Sequence, residues 1–541
     1  MKNYLLLLFA SAIVALATNA AAQLGNKNMY LLANLDAHGQ DYSALWGYKA
    51  PDGREYAILG CFDGTAVIDI TDPQNIHEVG LIPSTSPGNF YNLWREMKTY
   101  SHYAYIVSEV RNSGVQIVDL QYLPDSVRYV KKFVPAGHTY SHSISQSGPF
   151  LYLNGSNGGF GQGTVILDLT NDPENPVKRS GFNADYIHDC RVVDDTIYSA
   201  DIYGGKVSII NATNKDSLFR ITQFTNLPNS GPHNTALTSD KKYLLVTDEI
   251  GSAPYRLKIW DIDDIGNISF VSAWQPTGIT TAIVHNVEAY GKHALVAHYA
   301  AGVRLVDITN PAVPVETAYY DTYPAHNDED YIGCWAVYMF PSGKIIASDM
   351  VNGLFVLKTT FNVKIAIEGL YNSVSNKHNR KDTVTVLLKN NFAPFTTIDS
   401  SIAVLDSVTL TAQTKFNYAP AANYYIVVKH RNSIQTWCKA GGDYFDPMTS
   451  DSYDFSSASS QSFGGNMIQT DISPVTFALY SGDVNQDEVI DGSDVLLIGN
   501  DAFIYATGYI ASDLNGDESV DGSDQSIAEN NAYNYVAVVR P

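Results

Sequence analysis

Val303–Pro311 reads VRLVDITNP: a run of strand-forming residues, one acid, then turn-forming residues. The phrase returns along the chain. TAVIDITDP puts Asp69 at the acidic position, VQIVDL puts Asp119, TVILDLTND puts Asp168 and LKIWDI puts Asp261. VSIINAT carries Asn211 there, and LFVLK carries Lys358. With Asp307 included, successive spacings are 50, 49, 43, 50, 46 and 51 residues. A period of this size marks stacked supersecondary units.

A second apolar strand precedes the marked one in EYAILGC, HYAYIVSE, KYLLVTDE and HALVAHY, so each unit has room for about four short strands. Four-stranded units repeated radially make a β-propeller, which closes on itself and hides its edges. Seven columns predict seven blades over residues 23–359. The last unit stops near Leu357 without an outer strand, and MYLLANL (Met29–Leu35) is a spare strand expected to close the ring.

The chain has 541 residues, 45% hydrophobic and 17% charged, with 36 Tyr and 39 Gly, which reads as folded, mainly β and multidomain. Lys2, the apolar run Leu5–Ala17 and the small residues Ala20–Ala22 predict a signal peptide over residues 1–22 and hence a secreted or cell-surface protein. No later segment is apolar enough for a transmembrane helix. The net charge of −22 opposes nucleic acid and anionic lipid as partners. Cys61, Cys190, Cys334 and Cys438 are too scattered to specify a zinc site or a disulfide pairing.

The repeated V-x-I-V-D-I-T-x-P strand resembles the LVIVD repeat of bacterial and archaeal surface proteins. Together with LWREMKTYSHYAYIVSE, HDCRVVDDTIYSADIYGG and GCWAVYMFPSGKIIASDMVNGLFVL, the stretch from Asp36 to Lys358 resembles the choice-of-anchor B family. The resemblance implies an exported propeller joined to an attachment module and brings no catalytic residues with it.

His142, His188, His233 and His285 open the first strand of four consecutive units, where other units have Trp46, Trp94 with Arg95, and Cys334 with Trp335. Glu109, Asp201, Asp248 with Glu249, His298 and Asp349 stand at the end of the second strand. In a propeller both columns reach one mouth of the central channel. Such a mouth suits a transition metal or a polar ligand, and equally a water-filled channel lined by tolerated polar residues. The tryptophans favour a carbohydrate or small molecule. There is no G-x-S-x-G or H-E-x-x-H motif, and NGSNGGFGQG (Asn154–Gly163) reads as a loop. An extracellular enzyme, polysaccharide-degrading or a metal-dependent oxidase using the histidines, is the alternative to a binding protein.

Residues 360–480 lose the period, and VKIAIEGLY, DTVTVLLKN, NYYIVVKHR and PVTFALYSG predict a β-sandwich spacer, with DYFDPMTSDSYDFSSASSQSFGG as a long loop. Residues 481–541 hold twelve acids against the single base Arg540. They contain GDVNQDEVIDGSD and SDLNGDESVDGSD. Asp483, Asn485, Asp487, Asp491 and Asp494 fall at loop positions one, three, five, nine and twelve, with Val489 offering a carbonyl at seven. Asp513, Asn515, Asp517, Asp521 and Asp524 repeat this, with Ser519 at seven. Such loops supply the hard oxygen donors Ca²⁺ takes, so two ions are expected.

With a helix expected after each loop, in VLLIGNDAFIY and QSIAENNAYNY, this tail resembles a type I dockerin. The resemblance implies a small α-helical calcium-binding domain that docks to a cohesin-like or other surface module. Position six departs from the pattern: Glu488 and Glu518 stand where Gly is usual.

Overall fold

The computed structural model describes residues 25–39, 41–156 and 163–541. The expected signal peptide and most of the Asn154–Gly163 loop lie outside them. Among the described residues, six four-stranded sheets and one five-stranded sheet precede residue 360. Their first strands are Leu45–Lys49, Arg95–Tyr100, Ser143–Ser147, Asp189–Val193, Pro232–Leu237, Val287–Tyr290 and Cys334–Met339. Each touches the next, and the last touches the first, so the strands surround one axis. This is a β-propeller. Met29–Leu35 pairs antiparallel with Gly353–Thr359 and supplies the outer strand of the final sheet.

The recurring acid has a local structural cause. Oδ1 of Asp69 accepts a hydrogen bond from the Thr71 amide at 2.8 Å, and that of Asp307 from the Thr309 amide at 2.7 Å. Asp119, Asp168, Asn211 and Asp261 repeat the bond to the amide two residues on. A second such cap follows at Asp72, Asp172, Asn214, Asp264 and Asn310. The acid therefore turns the chain out of the third strand. Every sheet also carries a register shift between third and fourth strands, the local irregularity that sharpens strand twist.

Lys358 breaks the column because the next unit begins there. Its buried Nζ donates to the Asn417 carbonyl at 3.0 Å. Beyond it, Phe361–Lys364 joins a large mixed sheet that also holds Asp382–Asn390, Thr397–Leu405 and Ala422–His430. This sheet and the three-stranded one containing Val475–Leu479 bury a core including Phe361, Val386, Trp437, Phe455 and Leu479. The polar stretch expected as a long loop is partly ordered: Asp443–Phe445 and Ser452–Asp454 are short strands, and Tyr453 and Phe455 are buried. Its aromatic residues outweigh its polar composition.

The tail holds helices α1 (Gly492–Phe503) and α2 (Gly522–Tyr533), each starting three residues earlier than its apolar run. Asp491 and Asp521 cap them, with Asp494 and Asp524 completing capping boxes. The helices touch each other and share a core of Ile498, Leu514, Val520 and Ala528. No helix among the described residues is long and apolar enough to cross a membrane. All four cysteines are buried and unpaired.

Candidate metal centre

The first-strand ends bring four imidazoles into one row. Ring centroids are 4.0 Å apart for His142–His188, 4.6 Å for His188–His233 and 4.1 Å for His233–His285. They line a cavity of about 510 Å³ together with Glu109, Glu249, Trp94, Trp335 and several tyrosines.

Each ring is held from behind. His142 Nδ1 lies 2.6 Å from Glu109 Oε1, His188 Nδ1 3.2 Å from the Tyr186 hydroxyl, His233 Nδ1 3.3 Å from the His285 carbonyl, and His285 Nδ1 2.5 Å from the Trp335 carbonyl. Carbonyl and carboxylate oxygens only accept, so Nδ1 of His142, His233 and His285 carries the proton. In the neutral rings, Nε2 is then left as a lone pair. Nε2 of His188 is buried with no protein partner, while those of His233 and His285 lie 3.5 and 3.7 Å from the Glu249 carboxylate. Anchored Nδ1–H with free Nε2 is the arrangement that orients metal-binding histidines.

Electrostatics favour neutral rings at His188, His233 and His285. Burial holds His188 well below the usual imidazole value and lowers His233 and His285 to about 3, with neighbouring imidazoles adding to the effect. At His142 burial also acts downward, but the hydrogen bond and charge of Glu109 outweigh it and raise the ring. Ligand atoms of His142, His188 and His233 lie within 4.8 Å of one another, as do those of His233, Glu249 and His285. Donors around a tetrahedral ion stand ~3.4 Å apart, so modest side-chain movement would close either set. Imidazole with carboxylate fits zinc, copper, iron or nickel and does not fit calcium.

Four of the six residues in the second column go elsewhere. Asp201, Asp248, His298 and Asp349 are the last residues of their strands, whereas Glu109 and Glu249 each lie one residue beyond. Successive side chains alternate faces, so this one-position offset turns the first four away from the cavity. Asp201 caps Gly204, Asp349 caps Val351 and Asn352, and Asp248 pairs with buried Lys258 at 2.8 Å. His298 packs near Trp274, where burial lowers it to about 3. Tyr299 and Met350 take the Glu109-equivalent position and line the cavity. Tyr186, Tyr299 and Tyr331 carried no sequence signal, since tyrosine is common throughout the chain.

The two tail loops fold almost identically. Asp494 Oδ1 accepts from the Val484 and Asn485 amides at 2.9 and 3.1 Å, and Asp524 Oδ1 from Leu514 and Asn515 at 2.8 and 3.1 Å. Asp483, Asp487 and Asp494 converge with ligand atoms within 4.8 Å. In the second loop Arg380 Nη1 lies 3.7 Å from Asp513 Oδ2, and Arg431 and Asn432 donate to the Asp513 carbonyl. Glu488 and Glu518 have φ of 76° and 71°, the left-handed conformation expected for position six. Asn485, Asn515, Asp491 and Asp521 bond within their own loops; Val489 and Ser519 donate their amides to Asp487 and Asp517.

Residues 283–322 match the LVIVD repeat family, so the chain carries an LVIVD repeat within its β-propeller. No curated protein matches the sequence. Among solved structures, a catalytically inactive virginiamycin B lyase from Staphylococcus aureus with quinupristin is similar at 14% identity and TM-score 0.43, over 61% of this chain and 99% of that one. A protein from Lactobacillus plantarum gives 12% identity and TM-score 0.44, over 62% and 93%. The WD40 β-propeller domain of Doa1 gives 13% and 0.42, over 61% and 96%.

Proposed function

We propose that this is an exported modular binding protein of the choice-of-anchor B type, with a transition-metal centre at the mouth of a seven-bladed propeller. A β-sandwich over residues 360–480 spaces that propeller from a dockerin-like tail. The tail takes up Ca²⁺ and docks to a cohesin-like or other surface module.

The observation that carries the metal reading is the row of four imidazoles with Nδ1 held by oxygen partners, in which Nε2 of His188 is buried without a protein partner and those of His233 and His285 face Glu249. His233 and His285 are oriented alike, each Nδ1 on a backbone carbonyl from the next sheet, while Glu109 and the Tyr186 hydroxyl hold His142 and His188. His142, His188 and His233 form one ligand set, and His233, His285 and Glu249 the other. Elemental analysis of the purified full chain tests this. The expected result is about one equivalent of zinc, copper, iron or nickel, lost in His233→Ala, the residue common to both sets, and lost in His188→Ala if the first set holds the ion. Metal-free protein after loading with each of these ions would refute it.

Turnover is the second reading. Glu249 receives the Tyr299 hydroxyl at 2.9 Å and stands beside two imidazoles, where it can take a proton from a bound hydroxyl group.

A further inference from the structure

The wall above the imidazoles is aromatic. Tyr203 and Tyr331 stand at its rim, 74% and 50% exposed, and both line the cavity. Tyr203 leans on Tyr186 at 5.0 Å and 38°, and Tyr331 meets Tyr299 edge-on at 5.7 Å. Trp94 and Trp335 close the remaining sides. Large rings left open around a cavity are surface that a ligand can cover.

The charged groups limit what that ligand is. Among the described residues no lysine or arginine lines the cavity; its acids are Glu109 and Glu249. A phosphate, sulfate or uronate would meet two carboxylates, offset by His142, which is already paired with Glu109, and by the metal proposed above. A purely apolar ring would cover the same carboxylates and bring no O–H donors to satisfy them, which is costly. A ring with apolar C–H faces and hydroxyl edges meets both requirements.

We propose that the cavity binds the terminal ring of an uncharged saccharide. Its C–H face lies on Tyr203 and Tyr331, and its hydroxyls donate to Glu249 and Glu109. One further hydroxyl oxygen faces the four Nε2 atoms. This last contact rests on the metal centre proposed above, and the Glu249 contact on its first ligand set, which leaves that carboxylate free; the stacking and the Glu109 contact do not require it.

The test titrates metal-loaded full-length protein with cellobiose, xylobiose, mannobiose and maltose, and separately with digalacturonate and phenol, followed by tryptophan fluorescence and calorimetry. The expected result is saturable binding of at least one neutral disaccharide, weakened about ten-fold in Tyr203→Ala and in Tyr331→Ala. Both variants keep the wild-type metal content, because neither residue touches the imidazoles' Nε2 atoms. Tighter binding of digalacturonate or phenol, no binding of any neutral disaccharide, or unchanged affinity in both tyrosine variants overturns the proposal. Metal content measured on the same samples separates this failure from failure of the metal centre.

Discussion

Glu109 Oε1 lies 2.6 Å from Nδ1 of His142, although the two residues belong to adjacent sheets and are 33 positions apart. The contact fixes one imidazole at the cavity and supplies the carboxylate partner that raises the basicity of Nε2 towards a metal. Glu109→Gln keeps the shape and removes the charge. Its metal affinity is expected to fall 10–100-fold, with little change in Tm. Competition with a chromogenic chelator measures this.

The Asx caps predict a graded response at the repeat. Asp307→Ala removes the acceptor for the Thr309 amide and is expected to cost ~1 kcal/mol. Asp307→Asn is expected to be near neutral, because Asn211 already performs the same bond at 3.1 Å in another sheet. Urea unfolding of the two variants distinguishes them.

Lys358 predicts a pH dependence. Burial lowers its ammonium to about 8, against an opposing effect of Asp399. The unfolded chain keeps that proton up to ~10.4, so between these values it binds more protons than the folded one. Stability from this group therefore rises with pH from about 8 to ~10.4, and below about 8 the cost is complete. Lys358→Met is expected to stabilise by ~3 kcal/mol at pH 7, less the lost bond to Asn417, with the gain fading towards pH ~10.4. Urea melts at both pH values read it out.

The tail loops are expected to differ in calcium affinity. Arg380 places a guanidinium near Asp513, and nothing equivalent is seen near Asp483 among the described residues. Arg380→Ala is expected to tighten the second site while leaving the first unchanged. Glu488→Gly and Glu518→Gly relieve left-handed backbone worth roughly 1 kcal/mol each, and are expected to raise both calcium affinity and thermal stability. Calorimetry with calcium on the full chain resolves the two sites.

Much of this was readable from residue order alone. The column of Asp or Asn marked six of the seven third strands, because turning the chain out of a strand needs a side-chain acceptor at a fixed place. The spare strand Met29–Leu35 was readable because the last unit lacked one. The imidazoles were readable because they recur at equivalent starts. The second column was misaligned by one residue, as Asp201 and Asp248 lie at strand ends while Glu109 and Glu249 lie just past them. A strand's pleat reverses at each step, and sequence alone does not say where the last paired residue falls. The tyrosine collar and Arg380 were silent for another reason: their positions depend on which sheets and units meet.

X-ray absorption at the edge of the metal retained by the purified full chain tests the central claim most directly. The account predicts outer-shell scattering from at least two imidazoles, reduced by one in His233→Gln, the residue common to both ligand sets. A spectrum with oxygen ligands only, or one unchanged by that substitution, contradicts it.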